Sequence, residues 1–217
     1  MCRPVCLHFA MKSPVLFLAV TGLALTAAAE SQTYDFRDTN GINKIVFTSY
    51  DSLKPFRGTA TNVAGSVSFD IANPTALKGR ITVRTASVHV ADTALQRDLT
   101  GTAVLDAARH PEISFETASV ANIQPEAGNS NNFTATVSGT LTLKGVARPV
   151  TLPVKISYIP NRLRERNPEL QGDLLRINAN LEIKPADFGL NAGVTGGPEA
   201  GLIHLNFSLS GSSPRQP

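Results

Sequence analysis

Val150-Thr151-Leu152-Pro153-Val154-Lys155-Ile156 places an apolar side chain at every second position, and Leu175-Arg176-Ile177-Asn178-Ala179-Asn180-Leu181-Glu182-Ile183 repeats the pattern further on. Period-two spacing turns one face of a strand toward an apolar interior and the other toward water. Working outward, the same rhythm recurs at Ile45 and Phe47, at Val67, Phe69 and Ile71, and at Ile81 and Val83. It returns at Ile113 and Phe115, at Phe133, Val137, Leu141 and Leu143, and at Ile203, Leu205, Phe207 and Leu209. Gly, Pro, Asn and Asp punctuate these runs, as antiparallel turns require. About eight strands from one chain imply a sandwich or a closed barrel.

Two stretches, 92–99 and 102–109, are rich in Ala, Leu, Gln and Arg and read as short helices. Asp92 or Thr93 caps the first in this reading and Thr102 the second, because their side-chain oxygens accept the free N–H groups of a first turn. Segments 122–132 and 160–173 read as long polar loops. With no internal repeat and no dividing linker, residues 30–217 form one domain.

Residues 1–29 read as a cleavable signal peptide. Arg3 and Lys12 give a positive start, an apolar run follows over 15–24, and Ala27-Ala28-Ala29 offers small residues before Glu30. Met11-Lys12 is an alternative start of more usual form. The apolar run is shorter than the roughly 20 residues that span a bilayer, so a leader is the better reading than an anchor. The expected destination is the periplasm or beyond. Cleavage removes Arg3, Lys12 and both cysteines, leaving 18 basic against 17 acidic residues and no thiol. A near-neutral mature chain carries no general nucleic-acid signal.

Four motifs then occur in order. Gly65-Ser66-Val67-Ser68-Phe69-Asp70 is followed by Asn73-Pro74, and Arg97-Asp98 leads through Val104-Leu105-Asp106 to His110-Pro111-Glu112-Ile113-Ser114-Phe115. A hairpin follows at Ser138-Gly139-Thr140-Leu141-Thr142-Leu143-Lys144-Gly145, ahead of Arg148-Pro149-Val150, and Asp187-Phe188-Gly189-Leu190 lies near the end. Together, from about Tyr34 to Leu209, they resemble the YceI-like family, the lipocalin-like periplasmic polyisoprenoid-binding proteins. The resemblance implies an eight-stranded antiparallel lipocalin-like barrel with short helices closing one end. It also implies a partner: a polyisoprenoid or similar amphiphile, an isoprenoid quinone included, held in an apolar tunnel. The family's early histidines are replaced here by Asn43-Lys44 and Tyr50, its His after the Arg-Asp pair by Leu99-Thr100, and its Tyr before Pro by His110. Binding driven by the lipid tail is therefore expected, with recognition of a head group left open. Each buried methylene contributes roughly 0.8 kcal/mol, so a prenyl chain needs no polar contact.

The candidate wall residues are Phe47, Phe69, Val83, Phe115, Val137, Leu152, Ile177 and Leu205, each readable equally as ordinary core. Arg97 is a candidate for a phosphate head group, since guanidinium binds phosphate through paired hydrogen bonds; the alternative is an ion pair with Asp106 or Asp187. His89, His110 and His204 lack metal-ligand spacing, so no metal and no cofactor is expected. The basic run Arg162-Leu163-Arg164-Glu165-Arg166 suits either transient contact with anionic membrane surface or a solvated hairpin tip. A second copy of the chain is a further partner expectation. No Gly-x-Ser-x-Gly elbow and no cysteine nucleophile is present, and Asp187-Phe188-Gly189 lacks the other parts of a kinase, so a binding protein is expected and not an enzyme. The alternative is a ligand-free structural barrel of the envelope or stress response.

Overall fold

The structure, a computed structural model, describes residues 31–37, 41–49, 55–190 and 201–215. The leader and Tyr50 lie outside the described residues.

Eleven described strands fill eight positions of a closed antiparallel ring. The first three positions are each split in two: β1 (Gln32–Asp35) with β2 (Lys44–Ser49), β3 (Phe56–Ala60) with β4 (Val63–Phe69), and β5 (Lys78–Arg84) with β6 (Val88–Val90). Five long strands complete the ring: β7 (Glu112–Glu126), β8 (Asn129–Leu143), β9 (Val146–Ile159), β10 (Gly172–Ile183) and β11 (Ile203–Pro214). The last strand closes it, pairing with β10 on one side and with β2 and then β1 on the other. The breaks after β3 and β5 adjoin, where Asn62 takes a positive φ of 55° and its carbonyl accepts from Arg84 N–H at 3.3 Å.

The break between β1 and β2 and the outer edge of β6 expose ladder groups, and one side-chain amide satisfies each. Between β1 and β2 the chain leaves the ladder opposite Ser210. Ser210 N–H donates to Asn43 Oδ1 at 2.7 Å, and Asn43 Nδ2 donates to the Ser210 carbonyl at 3.3 Å and to Phe36 O at 2.9 Å. A buried amide thus stands in for the missing peptide. Gln96 does the same at β6, whose outer edge has no partner strand among the described residues: its Oε1 accepts from Val90 N–H at 2.8 Å and its Nε2 donates to Val88 O at 2.9 Å. Asn43→Ala is expected to cost about 1–3 kcal/mol, the penalty for leaving buried polar groups unpaired, read as a lower urea midpoint with an unchanged slope.

Gln96 belongs to α1 (Thr93–Thr100), the single α-helix among the described residues. Asp92 is its cap, with Oδ1 accepting from Leu95 N–H at 2.9 Å. The second expected helix is absent: residues 102–109 form consecutive turns, in which Gly101 O accepts from both Val104 and Asp106 N–H, and Asp106 takes a φ of 46°. Thr102 therefore caps nothing, because a left-handed residue four positions on breaks the helical path. A second correction falls at 122–132. This stretch is extended, not looped: β7 and β8 run to within two residues of each other, with the tip at Ala127-Gly128. Its polar composition reflects a hairpin with water on both sides; most of β7 beyond Glu116 is exposed.

The segment after Ile159 is a loop as expected, and it carries a short 3-10 turn, Leu163–Glu165, packed on β10 and β11. Arg162 is held by Glu165 and Arg166 Nη1 donates to Ser210 Oγ at 2.9 Å, while Leu163 is buried. Leu163 and Arg166 thus tie the run to the barrel, while Arg162, Arg164 and Glu165 stay exposed.

Candidate ligand cavity

Odd positions of β11 and β8 face the lumen, so Ile203, Leu205, Phe207, Leu141 and Leu143 share one interior. At the α1 end that interior is hollow. A cavity of about 150 Å³ lies among these residues, Ile45, Phe47, Phe115 and the Leu99–Leu105 roof. Among the described residues, Ser114 is the one hydroxyl-bearing side chain on its boundary. Leu205 and Phe207 point inward yet are only half-buried, because they front empty space and not packed neighbours. An apolar cavity of this volume has room for a small apolar ligand or the end of a longer apolar chain.

Two glycines shape the wall. A Cβ on Gly58 would sit 2.2 Å from the Phe47 ring, and one on Gly139 would sit 2.5 Å from the Phe115 ring. Only a bare backbone lets each ring lie against the sheet. Phe47 also meets Phe56 edge-on at 6.3 Å.

The opposite half is filled. Tyr34, Phe36, Phe69, Ile156 and Leu175 are all at most 2% exposed, and Phe69 meets Phe133 edge-to-face at 6.3 Å. Beyond them lies a buried polar latch. Asp173, with no side-chain exposure, accepts from Asn161 N–H at 2.8 Å, Arg215 Nη2 at 3.0 Å and Tyr158 OH at 3.1 Å. Burial opposes the charge on Asp173, but these three donors outweigh it and hold the carboxyl below its ordinary range. Burial pushes the Tyr158 and Tyr34 hydroxyls up, with the nearby carboxylate adding to it.

Of the eight proposed wall residues, Phe47, Val83, Phe115 and Leu205 line the cavity. Phe69, Val137 and Leu152 stand in the packed half and Ile177 packs partly buried against the same core. The alternation located the inward face of each strand but carried no signal for which stretch is hollow. It also passed over Phe56, Leu99, Val104 and Leu105, because β3 is short and the roof is irregular. Arg97 is exposed on α1, and among the described residues no ion pair joins it to Asp106 or Asp187; Asp106 faces Arg109 at 4.0 Å instead. Asn43 is hydrogen-bonded to the backbone of Phe36 and Ser210 and is not among the residues lining the cavity. Among the described residues no three His, Cys, Asp or Glu side chains gather as a metal site.

Comparison with known proteins agrees with this architecture. The YceI-like domain model matches residues 34–210. A UPF0312 protein of Pseudomonas paraeruginosa is 27% identical over 207 residues, covering 93% of this chain and 98% of that protein. Burkholderia cenocepacia BcnA superposes with a TM-score of 0.60 at 23% identity, over 77% of this chain and 95% of its own. A polyisoprenoid binding domain from Saccharophagus degradans, implicated in plant cell wall breakdown, gives 0.57 at 13% identity, over 85% and 100%. At such identities the structural likeness is one of fold.

Proposed function

Since the chain belongs to the YceI-like family, we propose that it is an exported binding protein that holds the apolar chain of an isoprenoid lipid or quinone under α1, for transport or storage. The cavity carries this reading: apolar, hollow, and at one end of an otherwise filled barrel. The Saccharophagus neighbour, a polyisoprenoid binding domain, supports the same ligand class, and the leader-like pattern of residues 1–29 supports export. Transfer of apolar surface from water supplies the affinity, and the lining offers a head group almost nothing. Binding, not catalysis, is the role proposed. Brief contact with a membrane surface during loading and pairing of two copies are compatible additions.

Protein purified from producing cells without detergent should release an isoprenoid alcohol, phosphate or quinone in native mass spectrometry. Repeated recovery of an empty barrel that also takes up no prenyl chain would overturn the proposal. A ligand-free barrel working through its surface is the second reading, favoured by the filled half of the lumen.

A further inference from the structure

Resting on the carrier reading, we infer that this barrel takes a short apolar chain, about two isoprene units deep, and is not a full-length tunnel. The inward residues of β11 lining the cavity run from Ile203 to Phe207. Four steps of ~3.4 Å on a strand tilted by ~40° give a depth of about 10 Å. Three backbone bonds advance ~3.8 Å, so a four-atom prenyl repeat advances about 5 Å, and two repeats fill that depth.

The limit is a floor, built from rings. Phe115 lies over Gly139, one inward step below Leu141, and Phe207 stands one inward step above Leu209. The next inward residues, Val137, Leu209 and Ala179, are each at most 6% exposed, and Phe69 and Phe133 follow behind them. The far end is shut by the Asp173–Arg215 latch. A longer chain would have to displace closely packed aromatic side chains, and protein interiors of that density do not open for a guest without loss.

The test is a ladder of prenyl alcohols, C5, C10, C15, C20 and C40, each titrated against the full protein. Affinity should tighten from C5 to C10 and then change less than about threefold up to C40. An open tunnel would instead tighten by more than about tenfold per added unit, following the methylene transfer energy; that outcome overturns the inference. Phe207→Ala and Phe115→Ala lower the floor and should move the plateau to C15. Val137→Phe, with Ala135→Val as its milder substitute, lies beneath the floor and should leave the plateau at C10. Folded floor variants with the plateau unmoved, or a Val137→Phe barrel that loses C10, would also overturn it. No binding at any length would remove the carrier reading and the length limit together.

Discussion

Phe69→Ala should destabilise the barrel by about 3–5 kcal/mol, the range for deleting a fully buried aromatic side chain. Phe69 is 2% exposed, sits on β4 and packs edge-to-face inside the barrel on Phe133 of β8, with β5 and β7 between the two strands. Its removal leaves an apolar void that stays dry, so water recovers none of the lost contact. Leu205→Ala, on the hollow side, should cost about 2 kcal/mol or less, because Leu205 already fronts empty space. Urea midpoints at constant slope measure both. Equal losses at the two positions would mean that the halves of the lumen are equally loose.

Arg215→Ala should cost about 2–3 kcal/mol. Breaking a buried ion pair from one side typically costs about 3–5 kcal/mol; Arg215 is 51% exposed, so water already screens part of its charge. The pH dependence has a definite sign. The folded pKa of Asp173 is lowered, so the latch stabilises above the ordinary carboxylate range near ~3.9 and weakens as pH falls through the lower folded value. Without Arg215 the carboxyl remains buried with fewer donors, its pKa rises, and acid unfolding should begin at higher pH. Asp173→Asn should flatten that acid limb. Urea midpoints between about pH 2 and 7 for the three proteins measure the effect, and identical acid limbs would rule out the latch as its source.

What the sequence revealed follows from what burial imprints on it. Strands β9, β10 and β11 were plain at Val150-Leu152-Val154-Ile156, Leu175-Ile177-Ala179-Leu181-Ile183 and Ile203-Leu205-Phe207-Leu209, since each has one wet face and one dry one. The outer ends of β7 and β8 were hidden because both faces are wet there, and alternation vanishes. Short β1, β3 and β6 hold too few residues to show a period. Asn43 and Gln96 gave no sign of their role: an amide replacing a strand peptide acts through tertiary placement alone. For the cavity, inward parity was legible at Phe47, Val83, Phe115 and Leu205, but hollow and filled layers use the same residue types.

The way β11 closes the ring has a kinetic consequence. Asp35 pairs with Ser212 and Ser49 with Ile203, so two seams join residues separated by most of the chain. Loop-closure entropy must be overcome before those contacts reward it, which places refolding among the slow, millisecond-to-second topologies. Until β11 arrives, β10 and β2 both present naked edges, and the latch has no Arg215 to receive. The barrel is therefore most exposed to edge-to-edge association just before its final strand docks.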